Sequence, residues 1–235
     1  MLINGKYQDA QELLDKFVNR LEGAKKKDNK EMQKKKRYQY AIHSQFVELS
    51  KASLYRAANR YDDEHIAVLQ NVLDITRSNG FDINAVASTH LSYRDVLAVN
   101  QMATGLCESG KMREGLRLFE DLIKSMDNFC VDEHEKIRTY TVVLCNYSKY
   151  IGREGYHRKS IDIAVMGDEM DVKHGRLKAL PTFAVNRACG MVELGDEKNC
   201  LPYFALAYHG SGLLGRQKNA DVTKEYVKER LGVDF

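Results

Sequence analysis

The chain has 235 residues, enough to bury one substantial core as a single domain or a continuous solenoid. Two prolines, no tryptophan and a wealth of Leu, Ala, Lys and Glu predict an all-helical protein. With 36 basic and 33 acidic residues the net charge is +3, too even to imply a nucleic-acid-binding surface by itself.

In chain order, residues 7–22 show helical periodicity, with Ala10, Leu13, Leu14, Phe17, Val18 and Leu21 on one stripe. A lysine-rich stretch over 24–30 reads as a solvated turn or helix end. Helices are expected over about 30–50 and 63–77, followed by punctuation at 78–82, Ser-Asn-Gly-Phe-Asp. Ser92 and Asp95, three apart, occupy the places of a capping box at the next helix start. Three helix pairs follow, 92–109 with 112–127, 132–152 with 157–170, and 176–194 with 197–213. An amphipathic helix over 220–231 caps the chain and ends at Gly232.

A repeated signal runs through these pairs. A glycine is followed five residues later by a small residue, then by two further positions four and seven beyond. Gly110 leads to Gly115, Phe119 and Leu122; Gly155 to Ser160, Ala164 and Gly167; Gly195 to Cys200, Phe204 and Ala207. Gly5, with Ala10, Leu14 and Phe17, reads as a fourth copy. This is the turn and second helix of a tetratricopeptide (TPR) pair: glycine reverses the chain and the small residue lets two helices approach. The expected fold is therefore all-α, a TPR-like right-handed superhelix of antiparallel helix pairs, an α-solenoid spanning 1–235 as one domain. Residues 1–60 form its divergent N-terminal helices and 61–213 its repeats. Only four residues precede Gly5, so its helix lacks a partner; either the chain is cut from a longer one, which this reading favours, or a neighbouring chain covers that face.

Alignment on the turn glycines puts Val99, Met102, Ala103 and Leu106 at the packing positions of the first clear repeat. Their counterparts are Leu144, Tyr147, Ser148 and Ile151, then Ala184, Arg187, Ala188 and Met191, where Arg187 breaks the pattern. The other face of each first helix lines the concave side of such a solenoid. It carries Asn100, Gln101 and Thr104, then Asn146, Lys149 and Arg153, then Asn186. One carboxamide per repeat suits an extended peptide, whose backbone offers an N–H and a C=O at each residue. Asn at this place also bonds to neighbouring helices, so for Asn146 and Asn186 both roles stay open. Lys149 and Arg153, one turn apart, suit a carboxylate.

The segment from Leu91 to Ala103, Leu-Ser-Tyr-Arg-Asp-Val-Leu-Ala-Val-Asn-Gln-Met-Ala, resembles a stretch of Firmicute helix-turn-helix (XRE-type) regulators with TPR-like C-terminal regions. Tyr140 to Gly155, Ala184 to Gly195 and the closing Leu-Gly-Val-Asp-Phe235 fit the same pattern. These regulators are related to the RRNPP group of peptide-pheromone receptors, and the resemblance covers about residues 60–235. It implies the sensor part of a cytoplasmic transcriptional regulator, binding a short peptide or protein tail and forming a homodimer. DNA would be bound only through an N-terminal helix-turn-helix domain, and no such motif is placed in this sequence.

Rival functions have less support. The basic stretches Lys25-Lys-Lys27 and Lys34-Lys-Lys-Arg37, with Tyr38 and Tyr40 behind them, resemble a phosphate-binding surface, but Asp28 and Glu31 dilute the field. Asp132-Glu-His-Glu135 has ligand-type residues but stands where a helix dipole favours acids. No HExxH, GxSxG, Walker or dinucleotide motif occurs, so no enzyme, metal or cofactor is expected. Cys107, Cys130, Cys145, Cys189 and Cys200 form no CxxC and read as reduced core thiols. No apolar run approaches the ~18 residues of a membrane span, and no membrane partner is expected. A stand-alone TPR adaptor for another protein's tail would use the same groove and remains the alternative.

Overall fold

A computed structural model describes residues 2–25, 33–77, 79–129 and 133–234, without the side chains of 2–7, 24–25, 33–38 and 134–135. The basic stretches at 25–27 and 34–37, and Asp132, His134 and Glu135, lie outside the described side chains. Helices account for the architecture: α1 (Leu2–Lys25), α2 (Gln33–Ala57), α3 (Asp63–Asp74), a 3-10 turn (Ile83–Ser88), α4 (Tyr93–Glu108) and α5 (Met112–Phe129). They continue with α6 (Glu133–Arg153), α7 (His157–Lys173), α8 (Leu180–Glu193), α9 (Glu197–Leu213) and α10 (Gln217–Leu231). The chain forms two compact units, Met1–Phe129 and Cys130–Phe235.

The turn glycines explain the pairing. Gly110, Gly155 and Gly195 sit at φ +88°, +93° and +80°, where a side chain would be strained. The next residue's N–H reaches back to the carbonyl five before it: Lys111 to Leu106 at 2.9 Å, Tyr156 to Ile151 at 3.1 Å, Asp196 to Met191 at 2.9 Å. These are the long bonds of a Schellman ending, which close one helix and aim the chain into the next. The small residues then meet the preceding helix. A Cβ on Gly115 would fall 2.4 Å from Cys107 Sγ, while Ser160 donates to the Ser148 carbonyl at 2.8 Å.

Two corrections follow from this geometry. Gly5 is no turn: residues 2–25 run through it as one helix, because the amphipathic stripe of 7–22 extends back without a left-handed residue to stop it. Gly215 is a turn that the repeat pattern did not include. Its φ is +69°, Arg216 N–H bonds to the Ser211 carbonyl at 2.8 Å, and Ala220 and Val227 are buried where the motif requires it. Thus α10 packs on α9 as α9 packs on α8. Gly175 makes the same turn between α7 and α8, at φ +65° with Arg176 bonded to Asp171. Turn glycines therefore recur every 20 residues from 155 to 215.

In the first unit, α4 begins with the expected capping box, Ser92 and Asp95 each accepting from the other's backbone N–H. Asp95 is buried and also takes Arg77 Nη2 at 3.0 Å and Gln45 Nε2 at 3.4 Å, tying α2 and the end of α3 to α4. The 3-10 turn, capped by Asp82 and packed on α5, fills the space after the 78–82 punctuation. In the second unit, α6 to α10 pack in chain order around Phe183, Ala188, Cys200, Phe204 and Val227. Arg187, out of pattern for a packing position, lies over the Tyr203 ring at 4.1 Å, so its flat guanidinium serves as a packing surface. Among the described residues, no helix is long and apolar enough to cross a membrane.

Candidate functional site

A cleft of about 360 Å³ opens between α6 and α8, with the start of α7 as its floor. Lys149 and Arg153 stand on its α6 side, and Asn186, Cys189 and Glu193 on its α8 side. Two helical glycines let the walls come together. A Cβ on Gly152 would lie 2.8 Å from Ser160 Oγ, and one on Gly190 would lie 2.8 Å from Ile161 Cγ1 and 3.2 Å from the His157 carbonyl. The α6 and α8 backbones therefore approach α7 closely at one level, leaving the longer side chains on either side to border open space.

Both cations are exposed. Lys149 and Arg153 flank the buried Tyr150 ring, with their charges 4.5 and 5.5 Å from its centroid, and Lys149 Nζ donates to the Tyr150 hydroxyl at 3.2 Å. The aromatic face holds two like charges side by side at one end of the cleft. Asn186 Nδ2 donates to the Cys145 carbonyl at 3.0 Å and to Ser148 Oγ at 2.7 Å, so its amide nitrogen clamps α8 to α6. Glu193, across the cleft, has Arg230 Nη2 at 4.0 Å. The arrangement is suited to hold a negatively charged, hydrogen-bonding ligand between two helices.

The cysteine that lines the cleft, Cys189, is not an activated nucleophile. Burial pushes the Cys189 thiol up to about 11, outweighing the Tyr226 hydrogen bond that favours the thiolate. Burial pushes the Cys145 thiol up further still, helped by Asp171. Among the described residues, no group of three His, Cys, Asp or Glu side chains is placed to hold a metal ion.

Of the residues singled out from sequence, Lys149, Arg153 and Asn186 meet in this cleft. Asn146, on α6, is half-buried. Asn100 and Thr104 of α4 are buried in the first unit, Thr104 Oγ1 donating to the Asn100 carbonyl at 2.9 Å. Gln101 is half-buried, and its Oε1 is shut off from solvent without a hydrogen-bond partner. Sequence reasoning passed over Gly152, His157 and Gly190. Glycine inside a helical pattern, as at 152 and 190, is the signal that marks a close approach.

No family model and no curated protein matches the sequence. In structure, the chain is similar to PlcR of Bacillus thuringiensis in complex with the peptide PapR7 and DNA. The TM-score is 0.68 at 16% identity, covering 94% of this chain and 70% of that one. The apo form of the same Bacillus protein gives a TM-score of 0.63 at 14% identity, over 94% of this chain and 75% of that one. At such identity the likeness speaks for fold alone, and the resemblance to RRNPP regulators holds at that level: the chain has the all-helical, TPR-like solenoid fold of PlcR.

Proposed function

We propose that this chain is the peptide-sensing domain of a cytoplasmic, homodimeric transcriptional regulator. In this reading it binds DNA only through a helix-turn-helix domain outside the chain. The observation that carries the reading is the α6–α8 cleft, where Lys149, Arg153 and Asn186 converge on a space large enough for a few residues of peptide. Lys149 and Arg153 take a ligand carboxylate, either a peptide C-terminus or an acidic side chain. Asn146 and the free carbonyl oxygen side of Asn186 meet the peptide backbone. Burial supports a packing role for Asn100 and Thr104, and the solvent-excluded oxygen of Gln101 supports one for Gln101.

The mechanism is a population shift. A ligand bridging α6 and α8 favours one angle between successive helix pairs. Small rotations add along a solenoid, so the ends of the array, and any DNA-reading heads carried there, change spacing. A ligand shifts this equilibrium only by its difference in affinity for the two forms.

The test is selection of heptapeptides from a random displayed library, followed by titration of the winners against wild type, K149E and R153E. The reading expects a shared acidic or C-terminal carboxylate feature among the winners, and about tenfold or greater weakening by each variant. Winners that bind both variants as tightly as wild type would place the ligand elsewhere. For an adaptor, the winning sequences would instead keep their affinity when placed inside a longer protein.

A further inference from the structure

At the opposite end of α7 and α8 from the cleft, two glycine turns lie side by side. The turn at Gly175 precedes α8 and the turn at Gly215 precedes α10. Arg216 Nη1, from the second, donates to the Lys178 carbonyl of the first at 2.9 Å, holding them together across 38 positions of sequence. Leu177 and Leu213 project from these turns, 56% and 89% exposed. Leu213 in particular leaves nearly all of its side chain in water.

Positive charge predominates at the surface around them: Asp171 is buried beneath the first turn, where it accepts from Ala179 N–H, and Asp221 stands at the rim. Lys173, Arg176, Lys178 and Lys218 are all exposed at this end. No Asp or Glu occurs from Val172 to Val192 or from Lys198 to Ala220, although the whole chain carries 33 acids against 36 bases. The positive field is therefore local and owes nothing to the near-neutral total. Both helices that start here, α8 and α10, lack an N-cap side-chain bond, so the positive ends of their dipoles add to the field on the same side.

From this conjunction we infer that the 173–178 and 213–218 turns form a docking surface for an acidic amphipathic segment of a partner protein. Leu177 and Leu213 take its apolar side, and the four cations take its carboxylates. Apolar anchors at helical spacing, flanked by acids, match a surface with two leucines inside a cationic rim. Nucleic acid fits less well: residues 172–182 and 210–222 contain no Phe, Tyr or Trp, His174 is the one ring there on which a base could stack, and phosphates gain nothing from leucine. The surface is distinct from the α6–α8 cleft and does not depend on what that cleft binds.

The test uses the full chain and a fluorescein-labelled synthetic peptide with leucines at helical i, i+3, i+4 and i+7 places and Asp or Glu elsewhere. Anisotropy titration is expected to show saturable binding, weakened about tenfold by R176E/K178E and similarly by L177S/L213S. Both variants change exposed side chains, and each is checked for an unchanged thermal melt. A lysine-for-acid version of the peptide should bind R176E/K178E in preference to wild type. Absence of binding, or binding indifferent to both variants, overturns the inference. So does tighter capture by phosphatidylglycerol vesicles or a DNA duplex, lost in the same variants, which would assign the surface to a membrane or to nucleic acid.

Discussion

His65 in α3 is fully buried, and neither Nδ1 nor Nε2 has a hydrogen-bond partner. The rings of Tyr55 and Tyr61 stand 6.2 and 5.8 Å away, and α4 meets it at Gly105, where a Cβ would lie 3.1 Å from Nδ1. A neutral imidazole carries one N–H, and leaving it unmade in the interior costs about 1–3 kcal/mol. Leucine is close in volume and has no polar atom; its shape mismatch costs up to about 1.5 kcal/mol. His65→Leu is therefore expected to stabilise the protein by about 1 kcal/mol near neutral pH.

The pH dependence makes the test sharper. Burial holds the folded imidazole below its ordinary 6.5, with Arg56 adding to the effect and Asp62 opposing it. The unfolded chain then binds more protons as pH falls through 6.5, so wild type loses stability from there down to the folded value. Each pH unit within that window removes up to about 1.4 kcal/mol, and His65→Leu removes the window. Urea unfolding followed by far-UV circular dichroism at several pH values gives the difference between the two proteins, in which all other titrations cancel. A difference that stays flat with pH, or a variant less stable throughout, would refute the reasoning.

Other substitutions have opposite expected signs at chemically similar positions. Gly167→Ala puts a methyl about where the buried Phe183 ring already lies, its nearest carbon 2.1 Å away, and should lose about 1–3 kcal/mol despite alanine's better helix propensity. Gly212→Ala, in α9 with open space around it, should gain a few tenths to about 1 kcal/mol; thermal melts measure both. Asn186→Ala removes two bonds to α6 and leaves buried Ser148 with fewer partners, for an expected loss of about 1–3 kcal/mol in urea unfolding. Cys189, with its thiol pushed up to about 11, should react with iodoacetamide at about pH 8 at least tenfold slower than an ordinary thiol, as peptide mass spectrometry will show.

The fold was readable wherever one residue type decides a backbone conformation. Gly110, Gly155 and Gly195 end helices because only glycine sits comfortably at φ near +80 to +90°, and the small residue five later follows from the helix contact it makes. The same letters misled at Gly5, since sequence does not display φ and a good amphipathic stripe carries a helix through a glycine. Gly215 went unread because Lys224 stands where the motif expects an apolar residue, although Ala220 and Val227 keep the buried side intact. The Ser92–Asp95 box was plain because it is purely local. The site was less legible. Sequence spacing placed Lys149, Arg153 and Asn186 on first-helix faces, but the cleft depends on Gly152 and Gly190 bringing α6 and α8 onto α7, and such contacts appear only in three dimensions.

Hydrogen–deuterium exchange on the full chain, with and without a library-selected heptapeptide, bears most directly on the sensor assignment. Protection is predicted in α6 around Lys149–Arg153 and in α8 around Asn186–Glu193, with residues 213–218 unchanged. Protection confined to other helices, or none at saturating peptide, would contradict a ligand site between α6 and α8.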